Sequence, residues 1–97
     1  MVVEVVKKMT VKEFIKLTEE YREIEFQYRG EHYMIGIYWV KNGFFSFKGH
    51  VVYCFYPPNA DKKDIREYAS VEELLDTKVE DKKLKDILDS IEILDMF

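Results

Sequence analysis

The sequence predicts an α+β fold: an antiparallel β-meander of three to five strands packed with an N-terminal helix and one or two C-terminal helices. Three observations predict it. A capped segment with helical spacing lies near the start, alternating aromatic-rich segments broken by glycines fill residues 24–56, and further capped apolar stripes follow a double proline. The 97 residues suffice for one domain, spanning 1–97, with a core that needs no disulfide staple.

The first helix is announced by Thr10 and Glu13, the capping-box pair in which each side chain satisfies the other residue's backbone N–H. Val11, Phe14, Ile15, Thr18 and Tyr21 recur at helical spacing behind it, so the helix is expected from Val11 to about Tyr21. Residues 2–6 are apolar enough to add a short edge strand. Next, Ile24, Phe26 and Tyr28 alternate with Glu23, Glu25 and Gln27, the pattern of a strand with one wet face.

A two-residue Gly30-Glu31 turn of type II′ then pairs Tyr28 with Tyr33, Phe26 with Ile35 and Ile24 with Ile37. The strand from His32 to Val40 ends at Lys41-Asn42-Gly43. A three-residue loop with a glycine bulge pairs Trp39 with Phe45 and Ile37 with Phe47, keeping all four on the inner face. Phe44–Lys48 and Val51–Tyr56 read as two strands of a hairpin around Gly49, or as one strand bulged there; the hairpin is preferred.

Pro57-Pro58 ends the sheet, since prolines supply no ladder donors. Ile65–Ala69 suits one more short strand. Ser70 and Glu73 repeat the capping box before Val71, Leu74 and Leu75, and Asp81 is placed to cap a final helix bearing Leu84, Ile87, Leu88 and Ile91. The apolar tail Ile93, Leu94, Met96 and Phe97 is expected to dock on the fold.

Composition narrows the function. Apolar residues are 47% and charged residues 35%, as in ordinary globular proteins, while aromatics reach 15%. The net charge of −4 is uneven: from Asp61 onward twelve acidic residues face seven basic ones. No basic stripe offers itself to phosphates, which disfavours nucleic-acid binding. No run of about 18 apolar residues is present, so no membrane-spanning helix is expected. The single cysteine, Cys54, excludes an intrachain disulfide and suits a reducing, cytoplasmic setting.

Candidate chemistry is sparse. His32, His50 and Cys54 lack the paired spacing of a zinc site, so no metal is expected. His50 lies on the same strand face as Cys54 but roughly 13 Å along it, too far to serve as its base, and a free cysteine is most often a core residue. Gly30, Gly36, Gly43 and Gly49 form no phosphate loop, so no cofactor is expected either. The acidic residues of the C-terminal third alternate with lysines as on solvated helix faces.

The remaining signal is the reverse side of the sheet. With the larger aromatics turned inward, Met34, Tyr38, Phe44, Val52, Cys54 and Tyr56 share the opposite face, where Thr, Lys and Glu would be usual. Either the C-terminal helix and tail cover that face, or a partner does.

Tyr68-Ala69-Ser70-Val71-Glu72-Glu73-Leu74-Leu75, with Lys83–Leu88 and Ile91–Leu94 after it, resembles the ending of short uncharacterised proteins of low-GC Gram-positive bacteria and their mobile elements. The resemblance covers the final third of the chain. It implies no catalytic residue, and it points towards phage or defence biology.

The expectation is therefore a non-catalytic protein-interaction module that binds a partner protein, or a second copy of itself as a homodimer, and acts as an immunity protein or anti-defence inhibitor does. The alternative is a small-ligand binder or enzyme with an aromatic pocket using Tyr38, His50, Cys54 and Tyr56.

Overall fold

The computed structural model describes residues 9–43 and 47–97. The expected edge strand at 2–6 and the expected partner Phe45 lie outside them. The fold is α+β, with helix α1 (Val11–Glu20), strands β1 (Glu23–Tyr28), β2 (Glu31–Lys41), β3 (Gly49–Tyr56) and β4 (Arg66–Tyr68), then α2 (Val71–Leu75). A small ribbon of β5 (Lys78–Val79) and β6 (Lys82–Lys83), helix α3 (Leu84–Ile87) and strand β7 (Glu92–Met96) complete it. Five strands form one antiparallel sheet in the order β4-β3-β2-β1-β7.

Helix α1 begins where expected: the Thr10 hydroxyl accepts the Glu13 N–H at 3.1 Å. Phe14 and Thr18 are its buried positions, and Tyr21 closes it in an extended conformation. The second cap also forms. The Glu73 N–H reaches Ser70 Oγ at 3.2 Å, while the Glu73 carboxylate accepts the Ala69 N–H at 3.0 Å, burying Leu74 and Leu75 on the sheet.

The first hairpin keeps its predicted face but not its register. Tyr28 pairs with Glu31, Phe26 with Tyr33 and Ile24 with Ile35. The turn residues are Arg29 (φ 50°) and Gly30 (φ 79°), both left-handed, which is a type I′ turn rather than the expected II′. A shift of two residues leaves every side chain on its original side, so the alternation alone does not separate the two registers.

The second correction concerns the partner of β2. Ile37 pairs with Tyr53 and Trp39 with Val51, so β2 is matched to β3 and not to Phe45 and Phe47. The Asn42 N–H donates to the Lys48 carbonyl at 2.9 Å; residues 44–46 of the expected strand Phe44–Lys48 lie outside the described residues. Phe47, expected inside, is 97% exposed.

The third correction is the last helix. Asp81 caps nothing; it sits in the β5–β6 turn beside Glu80 (φ 62°). Helix α3 lasts one turn, and residues 92–96 form a strand on the free edge of β1. Leu94 is the extra residue of a bulge: Phe26 pairs with Ile93 and Ile24 with Met96, so two side chains three apart meet the same face. That spacing imitates a helix in the sequence. The tail docks as expected, as this edge strand; Phe97 N–H donates to the Glu23 carbonyl at 2.9 Å.

The core lies on one side of the sheet. Phe26, Tyr33 and Phe55 from three adjacent strands place their rings at 5.2 Å (Phe26 to Tyr33) and 5.7 Å (Tyr33 to Phe55) between centroids. Phe14, Leu74, Leu75, Val79, Leu84, Ile87 and Leu88 close over them. Arg66 spans the rim, its guanidinium over the Phe55 ring and donating to the Lys78 carbonyl at 2.7 Å.

Candidate interaction surface

The helices that roof the core are short. Ten residues of α1 make about 15 Å of helix. The 11 residues of β2 run about 36 Å. Strand β2 therefore overshoots its cover. The last strand contact from β1 joins Glu23 with Gly36, and β4 reaches only as far as Tyr53. Beyond those points residues 38–41 and 49–52 continue as a two-stranded arm with no further strand beside it among the described residues, and this arm contributes to a molecule 59 Å long and 26 Å wide.

The predicted surface residues fall on one side of this ribbon. Met34 is opposite Tyr56, Gly36 opposite Cys54, and Tyr38 opposite Val52. Phe44 lies outside the described residues. Tyr38 folds back over Gly36: a Cβ on that glycine would stand 2.6 Å from the Tyr38 hydroxyl oxygen. The Tyr38 and Tyr56 hydroxyls meet at 3.4 Å. The two tyrosines roof Cys54, which is 6% exposed. Burial and the nearby Glu67 carboxylate push the Cys54 thiol up. The Tyr38 hydroxyl, with burial second, holds the Tyr56 phenol well above its ordinary range.

Neither α3 nor the tail covers this face. Leu84, Ile87 and Leu88 pack into the core on the other side, and β7 extends the sheet edgewise. Exposure rises along the ribbon: Met34, Val52 and Tyr56 are half-buried, whereas Tyr38, Val40, Val51 and Trp39 are exposed, Trp39 to 55%. Trp39 and Val51, which the alternation assigns to the core, are on the correct face but past the end of the core. The signal that marks them was present in the chain: a long strand set against short helical stripes.

Trp39 is nonetheless well placed. A Cβ on Gly49 would collide with its indole ring, so the glycine lets the ring lie flat on the ribbon. His50 Nδ1 and Asn42 Oδ1, 2.6 Å apart, tie the two strands together near the tip.

At the root of the arm, between it and the end of α1, is a hollow of about 470 Å³ whose walls include Glu19, Glu20, Arg22, Ile37, Tyr38 and Trp39. His50 lines a different, smaller hollow of about 230 Å³ with Val52, Glu67 and Tyr68. Tyr38 and His50 thus face separate depressions while Cys54 is sealed, so the aromatic pocket imagined from these residues is not assembled. Among the described residues no three His, Cys, Asp or Glu side chains are gathered as a metal would require, and no helix is long and apolar enough to cross a membrane. The chain matches no family model, no curated protein and no solved structure.

Proposed function

We propose that the protein is a non-catalytic interaction module that acts by laying its ribbon arm and the adjoining open sheet face against a partner protein. One observation carries this reading. The β2–β3 ribbon outruns its own core and holds Tyr38, Trp39, Val40 and Val51 in solvent. An isolated two-stranded ribbon is marginal in water, and tyrosine and tryptophan are the side chains that interfaces favour. The surface suits an immunity-like or inhibitory role, in which occupying the partner is the whole action. The lone, sealed cysteine suits a cytoplasmic setting.

The test is affinity capture with the full chain as bait, comparing wild type with Trp39→Ser/Val40→Ser and with Met34→Lys/Val52→Lys. Loss of a stoichiometric partner from either variant, with circular dichroism unchanged, supports the reading. Identical capture by all three proteins rejects it.

A further inference from the structure

The arm differs in charge from the rest of the molecule. From His32 to Ala60 the chain carries no acidic residue, and Lys41 and Lys48 flank its loop. Arg22 also lines the hollow at the arm's root, whose border is acidic on balance through two carboxylates, Glu19 and Glu20. Neither these nor Lys41 has an ion-pair partner among the described residues. One chain therefore presents both a cation near the tip of an apolar arm and, at its root, a hollow where carboxylates outnumber the one cation, Arg22.

The register of β2 places these features on one side. Ile37, Trp39 and Lys41 alternate onto the face that carries Tyr53, Val51 and Gly49. Ile37 and Trp39 wall the hollow, and Lys41 lies one side-chain repeat beyond Trp39. A two-fold axis through Trp39 that runs two such ribbons antiparallel sets residue 41 of one copy over residue 37 of the other. Lys41 then stands above a hollow edged by Glu19 and Glu20, and the same contact recurs by symmetry. Trp39 lies at the axis, where its exposed indole meets the indole and Val51 of the second copy. Phe47, an exposed apolar side chain beside the arm, is carried towards the opposite root.

We propose that a second copy of this chain occupies the arm, in a two-fold dimer whose ribbons cross at Trp39 and whose Lys41 side chains seat against Glu19 and Glu20 of the opposite copy. The proposal rests on the interaction-module reading and names its partner. Oppositely charged patches in register set the orientation of an interface and speed its formation, while the buried aromatic at its centre supplies most of the affinity.

Trp39 is the sole tryptophan, so its emission reports this contact directly. Sedimentation equilibrium of the full chain between about 1 µM and about 1 mM is expected to show the mass rising from one chain to two. Trp39 emission should move to shorter wavelength over the same range. Glu20→Lys alone and Lys41→Glu alone are each expected to weaken association about tenfold. The doubly exchanged chain, Glu20→Lys/Lys41→Glu, should recover most of it, which a merely structural role does not provide. Both positions are exposed, and circular dichroism verifies folding.

A single-chain mass across the whole range overturns the proposal, as does an exchanged chain weaker than either single variant. A shift of Trp39 emission only on phosphatidylcholine–phosphatidylglycerol vesicles also overturns it, in favour of a membrane surface. A monomer that captures a different protein through Trp39 and Val40 overturns self-pairing and leaves the interaction-module reading standing.

Discussion

At Ile35 and Phe55 the β2–β3 ribbon is fully sealed, with α2, α3 and the neighbouring strands closed over it. Farther along the same face, Trp39 and Val51 meet solvent. Both stretches alternate in the same phase, pair in the same ladder and carry side chains of similar size. What differs is the helical layer over the sheet, which ends with α1 and the short C-terminal helices. Alternation fixes which way a side chain points; burial depends on whether anything lies opposite. The exposed aromatics of the arm are the part of the hydrophobic pattern that the chain's own helices leave unmatched.

The sharpest way to break this comparison is to empty each half in turn. Phe26→Ala is expected to lower unfolding stability by about 3–5 kcal/mol in urea titration, because it opens a cavity between Tyr33 and Phe55. Trp39→Ser, measured at dilution, should stay within about 0.5 kcal/mol of wild type. Equal losses would mean that the arm belongs to the core.

The open face gives the next largest effect. Gly36→Ala forces Tyr38 off its perch and uncovers Cys54, so alkylation of the native thiol is expected to accelerate about tenfold. In the wild type the raised thiol pKa should delay reaction with rising pH relative to the unfolded chain. The sign follows from that direction: the sealed neutral thiol favours folding fully below the ordinary thiol pKa. The contribution fades as pH climbs through the elevated native value.

Ser70→Ala removes the cap of α2, the helix that seals Leu74 and Leu75, and should cost about 1 kcal/mol without moving Trp39 emission. The smallest effect belongs to the Asp76 carboxylate, 3.0 Å from Lys85 Nζ. The Lys85 hydrogen bond holds Asp76 below its ordinary range, and Asp76 in turn raises Lys85. Their support is present above the normal carboxylate pKa and below the normal lysine pKa. It disappears as pH falls through the lowered Asp76 value or rises through the raised Lys85 value. The melting-temperature gap between Asp76→Asn and wild type should therefore close in acid and in strong base.

The sequence made the proximal half legible and the distal half only partly so. Thr10 and Ser70 announce their helices because a cap is a local hydrogen bond, readable from four residues. Ile24, Phe26 and Tyr33 show their face because alternation is local too. The register at Arg29-Gly30 escaped, since a slip of two preserves every face and only the backbone angles decide it. Glu92–Met96 escaped because a bulge at Leu94 sets Ile93 and Met96 three apart, and only the unpaired edge of β1 makes that segment a strand. Met34, Tyr38, Val52, Cys54 and Tyr56 do share a face, but the Tyr38–Tyr56 roof over Cys54 depends on side-chain directions that spacing does not encode.

The strand order carries one more implication, for the time course of folding. Strands β1 to β4 are joined as successive neighbours, so their ladders close over short stretches of chain. Strand β7 reaches back across nearly the whole polypeptide to join Ile24 with Met96. Bringing such remote segments together is the entropically costlier step, so the early, compact species is expected to be a four-stranded meander with one raw flank. A peptide spanning 91–97, added during refolding, would compete for that flank and trap the species before its final strand arrives.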